Sequence, residues 1–159
     1  IERMVDQHAG AVYRLARSIV RDAGLADDVV QETMLKAWRV GPVDPDGTIP
    51  RAWLLKVARN TAISYLRTRR EDSVGSDSLL ERPTGTEVAR MVESRAELDE
   101  VLEALHQLDP DARSLILLHE VDGLSYEEMA EALDLPLPTV KTRLFRARRS
   151  LKSAVEAWR

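Results

Sequence analysis

The stretch "SYEEMAEALDLPLPTVKTRLFRARRSL", residues 125–151, is the part of this 159-residue chain whose pattern most clearly indicates a fold. Ser125 followed by Glu128 forms a capping box that begins a helix, and the "DLPLP" segment separates this helix from a second one. A capped helix, a tight turn and a basic second helix together predict a helix-turn-helix. We therefore expect this end of the chain to be helical and able to contact DNA.

The second helix of this motif divides into an apolar face and a basic face. At about 100° per residue, its apolar positions fall on one stripe: Val140, Leu144, Ala147 and Leu151. The opposite face carries Lys141, Thr142, Phe145, Arg146 and Arg149. Such side chains can bind guanine edges, phosphates and thymine methyl groups. The alternative is that Phe145 packs on a neighbouring helix and the basic residues are ordinary surface.

The charges of the chain are concentrated in two segments. The formal net charge is −4, yet residues 51–70 carry 6 basic and no acidic side chains, and residues 135–159 carry 7 basic and 1 acidic. Two separated basic segments can each neutralise phosphates locally, while the acidic remainder is repelled by nucleic acid. The alternative is that both segments are solvated helix faces.

Helical periodicity extends over most of the chain. The spacing of apolar residues predicts helices over residues 2–21, 25–39, 51–70, 95–107, 110–121, 125–134 and 138–156. Residues 41–50, "GPVDPDGTIP", are predicted to form a loop, and residues 71–93 a polar, acidic linker. On the second helix we expect Asp27 and Asp28 to face outward, and we expect Trp38 and Trp53 to join the core.

The helix predicted over residues 51–70 also has two faces. Leu54, Val57, Ala58, Thr61 and Tyr65 share one side, and the other side carries Lys56, Arg59, Asn60, Ile63, Arg67 and Arg70. Opening a duplex requires captured unstacked bases and charge along the backbone, which a basic stripe beside a polar amide can supply. Asn60 has an alternative interpretation, as an exposed residue or a local cap.

Composition excludes several classes of function. Cysteine is absent, which rules out disulfides and Cys-ligated metals and fits a reducing compartment, so we expect a cytoplasmic protein. We find no apolar run of membrane-spanning length and no signal-peptide pattern. The three histidines are scattered, and neither a Gly-rich phosphate loop nor a nucleophile beside a base is evident. We expect no enzyme activity, cofactor or metal.

Three motifs in order resemble the extracytoplasmic-function sigma factors, the smallest members of the bacterial sigma-70 family. They are "ADDVVQETMLKAWR", "PRAWLLKVARNTAISYLRTRR" and "DGLSYEEMAEALDLPLPTVKTRLFRARRSL". The resemblance implies an all-α fold of two small helical domains joined by a flexible acidic linker. Residues 1–70 would form the sigma-2 domain, residues 71–93 the linker, and residues 94–159 the sigma-4 domain with its helix-turn-helix.

The resemblance also implies a role for each motif. Asp27, Asp28, Gln31 and Glu32 would face the β′ clamp helices of core RNA polymerase. Asn60, with the loop of residues 41–50, would hold a flipped base of the −10 element, and Lys56, Arg59 and Arg67 would lie along the melted strand. Lys141, Thr142, Phe145 and Arg146 would read the −35 element, with Arg143 and Arg149 on phosphates or neighbouring bases.

The implied partners are core RNA polymerase (β′ clamp helices and β flap), promoter DNA and an anti-sigma factor, with no direct membrane insertion. Asp134 and Pro138 depart from the glycines that the family often has in and after the turn, although Asp tolerates left-handed geometry and Pro suits a first helical turn. A stand-alone helix-turn-helix regulator remains the alternative function, and it makes no demand on residues 25–70. A purely protein-binding scaffold would leave both basic segments unexplained.

Overall fold

The structure, a computed structural model, describes residues 2–72, 102–103, 105 and 108–158. Within these ranges the regular structure is entirely helical, as predicted. The helices are α1 (Glu2–Val20), α2 (Ala23–Val40), α3 (Arg51–Asp72), α4 (Pro110–Ile116), α5 (Tyr126–Leu133) and α6 (Leu137–Trp158), and α4 continues into a π-helical turn, Leu117–Val121.

The helix starts follow from capping residues that the sequence shows. Asp109 accepts a hydrogen bond from the Ala112 amide at 2.8 Å, with Pro110 at the first helical position. Ser125 and Glu128 make both bonds of the predicted capping box. The sequence interpretation did not single out Asp22, which caps α2 through the Leu25 amide. Local hydrogen bonding therefore fixes where three of the helices begin.

The turn between α5 and α6 depends on Asp134. This residue has φ 56° and ψ 49°, the left-handed conformation that Asp tolerates better than most residues. Its amide donates back to carbonyl oxygens of α5, and α6 then begins at Leu137 with Pro138 in its first turn. Both departures from the family pattern are therefore accommodated without disrupting the helix-turn-helix.

One continuous apolar core joins the helices before the predicted linker to those after it. The helices α1, α2 and α3 pack against one another, α4 packs on α6, and α3 also packs on α5. Fully buried leucines come from both sets, including Leu15, Leu54, Leu115 and Leu144. Burying each such side chain contributes about 1.5–3 kcal/mol. The two predicted domains therefore share a packed interface in this structure.

The predicted loop over residues 41–50 is confirmed, and it is held by its own hydrogen bonds. Asp46 accepts from the Thr48 amide at 3.1 Å and from the Thr48 hydroxyl at 2.7 Å, which lowers the pKa of Asp46. A Cβ on Gly41 would lie 2.4 Å from the Ala37 carbonyl oxygen, so only glycine fits where the chain leaves α2. The loop therefore has a defined shape beside α2 and α3.

Some predictions lie outside the described residues. These are the linker over residues 71–93, apart from residues 71–72 at the end of α3, and the helix over residues 95–107, apart from residues 102, 103 and 105. None of the described helices combines the length and the apolar character that a bilayer span requires.

Candidate nucleic-acid interface

The basic face of α6 is exposed, as its periodicity predicts. Val140, Leu144 and Ala147 are buried, whereas the predicted DNA-contacting side chains face solvent: Lys141, Thr142, Arg143, Phe145, Arg146 and Arg149. Phe145 is 61% exposed, and the Arg149 guanidinium lies 5.8 Å from its ring. The alternative that Phe145 packs on a neighbouring helix is therefore wrong, and the face is available to a partner.

Contacts elsewhere on α6 hold this helix in place. Arg148 makes a 2.7 Å ion pair with Glu120 near the end of the π-helical turn. The hydrogen bond that Arg148 donates to Glu120 raises the pKa of the Arg148 guanidinium. The Lys141 ammonium lies 6.0 Å from the Tyr126 ring on α5. These contacts orient the exposed face relative to the rest of the helix-turn-helix.

The polar stripe on α3 is also partly exposed. Asn60 and Arg67 face solvent, Lys56 and Arg59 are half-buried, and Leu54 and Ala58 lie in the core. The predicted division of this helix into an apolar and a basic face is therefore confirmed. Asn60 is solvent-exposed. It lies nine residues after Arg51, the first residue of α3, and therefore about 14 Å along the helix axis from the end of the loop.

Asp111 at the start of α4 connects the two basic faces. One carboxylate oxygen lies 3.9 Å from Arg59 on α3, and the other lies 3.2 Å from Arg143 on α6. The two guanidinium nitrogens are therefore within about 10 Å of each other. Two of the predicted DNA-binding residues thus meet at a single acidic side chain.

Among the residues that the structure describes, Arg51 at the start of α3 makes the most extensive polar contact between the two helix sets. Its Nε and Nη2 donate to the two Glu128 carboxylate oxygens at 2.7 and 2.8 Å. Its Nη1 and Nη2 also donate at 3.2 Å to the carbonyl oxygens of Asp122 and Gly123. We call this group the Arg51 clamp; its fork geometry is the one that makes Arg–carboxylate pairs strong.

A second charged pair lies deeper at the same interface. Arg14 on α1 donates through Nε to Asp122 at 3.0 Å and makes an ion pair with it, and only 4% of the Asp122 side chain is exposed. Because a buried charge is costly without a partner, separating the two helix sets requires Asp122 to be rehydrated at the same time. The sequence interpretation missed both Arg51 and Arg14, since neither belongs to a local motif.

On α2 the predicted polymerase-facing residues divide into two groups. Gln31 and Glu32 are exposed and Asp28 is half-buried, but Asp27 is only 5% exposed. The prediction that Asp27 faces outward is therefore wrong. It lies three residues from Gly24 and three from Val30, both buried, so it belongs to the inner face of the helix.

Two apolar side chains extend the exposed face of α2. Leu35 and Trp38 are 54% and 65% exposed, so the expectation that Trp38 belongs to the core is wrong. With Asp28 and Gln31 they follow a spacing of three, four and three residues, which places all four on one stripe. Trp53, by contrast, packs against the core as expected.

A cavity of about 260 Å³ lies beside the loop of residues 41–50. Its walls include Trp38, Val43 and Ile49, together with His8 from α1. Burial, aided by the nearby Arg51 charge, lowers the pKa of His8, which favours its neutral form. The cavity is mostly apolar and concave, but Asn60 is not among the residues that line it.

Among the described residues, no group of histidine, aspartate and glutamate side chains has the arrangement of a metal site. The geometry provides two exposed basic faces, one mixed polar and apolar face on α2, and charged contacts between the two helix sets.

Family comparisons match both halves of the chain. Residues 4–71 match the family described as "Sigma-70 region 2", and residues 98–151 match "Sigma-70, region 4". The "ECF RNA polymerase sigma factor SigL" of Mycobacterium tuberculosis is 38% identical over 157 residues, which cover 96% of this chain and 87% of that protein.

Solved structures also have a similar overall fold, and two of them are 30% identical in sequence to this chain. "Structure of CnrH in complex with the cytosolic domain of CnrY" matches with a TM-score of 0.70 over 98% of this chain and 87% of that chain. "Co-crystal structure of the sigma factor RpoE in complex with the anti-sigma factor NepR from Bartonella quintana" matches with a TM-score of 0.67 over 95% and 93%.

Proposed function

Since the chain belongs to the extracytoplasmic-function class of the sigma-70 family, we propose that α2, α3 and α6 divide polymerase binding, −10 melting and −35 recognition among them. The protein is an RNA polymerase sigma factor that binds core polymerase and directs promoter-specific initiation. The observation that carries the division of labour is the exposure of a distinct polar or basic face on each of the three helices.

The proposed domain boundaries follow the same division. Residues 1–70 form the sigma-2 domain, residues 71–93 the linker and residues 94–159 the sigma-4 domain. The two family matches, over residues 4–71 and 98–151, support these limits. A stand-alone regulator is not favoured, because it would leave the first match without a role.

The polymerase-binding surface is the exposed stripe of α2. Asp28, Gln31 and Glu32 provide its polar part, and Leu35 and Trp38 extend it with apolar area; Asp27 is excluded by its burial. A Tyr65 hydroxyl donates to Glu32, which orients that carboxylate. An apolar centre beside charged groups is a common composition for a protein–protein interface.

The −10 surface is the polar stripe of α3 with the loop before it. Lys56, Arg59 and Arg67 contact the backbone of the opened strand, and Asn60 and the loop of residues 41–50 hold an unstacked base. Because Asn60 lies about 14 Å along α3 from the loop, a base that contacts both requires the loop to approach Asn60. The exposure of Asn60 and Arg67 supports this assignment. Backbone charge combined with a site for an unstacked base is what single-strand capture requires.

The −35 surface is the exposed face of α6. Lys141, Thr142, Phe145 and Arg146 read base edges in the major groove, and Arg143 and Arg149 contact phosphates or neighbouring bases. The second helix of a helix-turn-helix reads bases with its N-terminal part, and these residues lie in the first half of α6.

The two DNA-binding surfaces cannot act together in the arrangement described. Promoter elements near −35 and −10 are about 25 base pairs apart, or about 85 Å along B-DNA. Arg59 and Arg143, by contrast, meet at Asp111. The structure is therefore a closed form, and promoter binding requires the two helix sets to separate, with loss of the Arg51 clamp.

An anti-sigma factor is a partner of the closed form. The two solved structures described above are complexes, one with the cytosolic domain of CnrY and one with the anti-sigma factor NepR. A protein that binds both helix sets of this chain at once would stabilise the closed form by linkage.

The protein performs no chemistry of its own in this scheme. Core polymerase forms the phosphodiester bonds, and this chain selects and opens the promoter without a cofactor. Its place of action is the compartment that holds core polymerase, the cytoplasm.

The assignment of surfaces is tested by two substitutions with opposite expected defects. Arg146→Ala should reduce discrimination at the −35 element by about 1–3 kcal/mol and leave core polymerase binding unchanged. Asp28→Lys should weaken binding to core polymerase and leave the −35 preference of the assembled complex unchanged. Core binding is measured by fluorescence anisotropy, and −35 preference by transcription from promoters with altered −35 bases.

Lys152→Ala is the matched control, because it removes a positive charge from an exposed position of α6 outside the six residues assigned to −35 recognition. If all three variants show the same defect, the separation of surfaces is wrong. If Arg146→Ala retains full −35 discrimination, the proposed role of α6 is wrong.

A further inference from the structure

A basic cavity lies between the end of α1 and α4, away from the faces assigned to polymerase and DNA. Its volume is about 220 Å³, and the described residues that line it are Arg17, Ser18, Arg21, Leu102, Glu103 and Arg113. Three guanidinium groups and one carboxylate therefore border a single small space. Arg17 already has an interaction partner, so Arg21 and Arg113 are the candidate anion-binding residues.

Arg113 is the buried member of this group. The residue is 8% exposed, and its Nη1 donates to the Leu108 carbonyl oxygen at 3.0 Å. Its Nε is also buried but has no hydrogen-bond acceptor in the described part of the chain. Burial and the nearby Arg21 charge lower the pKa of Arg113. A buried donor without an acceptor is costly, and the Arg113 side chain that carries it lines the cavity, where an acceptor for the guanidinium would offset part of that cost.

Arg21 is held in an unusual backbone conformation. It follows the last residue of α1 with φ 57°, and its amide donates to the Arg17 carbonyl oxygen at 3.1 Å. Glycine is the residue that adopts this conformation without strain, and strained residues cluster at ligand sites. Here the strained position places a guanidinium at the border of the cavity.

We propose that this cavity binds a small phosphate-type anion through Arg113 and Arg21. Guanidinium groups bind phosphoryl oxygens with paired, charge-assisted hydrogen bonds. The cavity is smaller than the roughly 300–1,000 Å³ of pockets that enclose drug-sized ligands. It therefore fits one or two phosphoryl groups, either as a free anion or as the end of a larger molecule that projects into solvent.

Anion binding at this cavity would stabilise the closed form. α1 lies in the region 2 match and Arg113 in the region 4 match, so an anion between them joins the two helix sets. By linkage, the anion stabilises the closed form relative to any form in which the sets separate. The expected effect of the anion on promoter binding rests on the proposed function, whereas the binding of the anion to the cavity does not.

The test is calorimetric titration of the full chain with pyrophosphate at constant ionic strength, with chloride as the reference anion. Arg21→Gly should weaken pyrophosphate binding by about tenfold, the loss expected for one charge-assisted contact. The variant should remain folded, because glycine suits the left-handed conformation at this position. Glu103→Gln should strengthen binding, because it removes the acidic group at the cavity.

Arg39→Ala is the control, since it removes an exposed charge from the far end of α2. Phosphate and ADP are titrated in parallel. Tight binding of ADP would identify the end of a larger ligand, and binding of pyrophosphate or phosphate alone would identify a free anion. The proposal is overturned if none of these anions binds more tightly than chloride, or if Arg21→Gly and Arg39→Ala lose the same amount of binding.

Discussion

Glu128 combines two roles in one carboxylate. It accepts from the Ser125 amide at 3.0 Å, which completes the cap of α5, and it accepts two hydrogen bonds from Arg51. The hydrogen bond from Arg51 is the main cause that lowers the pKa of Glu128 to about 2. The side chain is still 32% exposed, so solvent screens part of this interaction. The same residue therefore stabilises a local helix start and a contact between distant helices.

The lowered pKa of Glu128 predicts how stability depends on pH. Its folded value of about 2 lies below the usual 4.5, so its stabilisation is complete above pH 4.5 and is lost as the pH falls toward 2. Glu128→Gln, which retains a capping side chain, should cost about 1 kcal/mol at pH 7. Urea unfolding of both proteins from pH 7 to pH 3 should show this difference shrinking below pH 4.5. A difference that is constant with pH would contradict the ionic role.

Single residues also mark the limit of sequence-based prediction. Ser125, Asp109 and Asp134 were identifiable because caps and turns depend on near neighbours in the chain. Asp27 and Trp38 were misplaced because both lie at the border of the buried stripe of α2. At such positions the packing of other helices decides exposure, and periodicity alone does not supply it.

The helices show the same contrast between local and distant information. The faces of α6 follow from its periodicity, because one apolar stripe is enough to orient a helix. The position of α3 does not follow in this way, because it packs on α1 and α2 and also on α5. Arg51 and Glu128 are 77 residues apart, and neither residue's local sequence identifies the other as its partner.

The Arg51 clamp predicts that single charge reversals open the molecule. Arg51→Glu or Glu128→Arg should place like charges in contact and weaken the interface, and the double variant should restore part of it. Opening can be followed by energy transfer between dyes on Lys36→Cys and Lys152→Cys, because the chain has no cysteine of its own. The single variants should show lower transfer efficiency than the parent.

Arg69→Glu serves as the control for these variants. Arg69 pairs with Asp22 at 3.8 Å within the first helix set, so its reversal should leave the transfer efficiency unchanged. Unchanged efficiency in both clamp variants would contradict the closed form as a state held by this contact.

The whole molecule separates its charges to control where it contacts DNA. A net charge of −4 repels nucleic acid, and the basic side chains are concentrated on α3 and α6. In the closed form, Asp111 also pairs with one arginine from each of these helices. We therefore expect weak promoter binding by the protein alone, and strong binding once polymerase holds the two sets apart.

Sigma-factor activity can be measured by transcription from a library of promoter fragments by core RNA polymerase, with and without this protein. Mapping the start sites should reveal starts that appear only with the protein and share two upstream elements at a fixed spacing. No protein-dependent starts, together with tight binding of the protein alone to some fragments, would contradict the sigma-factor account and favour a stand-alone regulator.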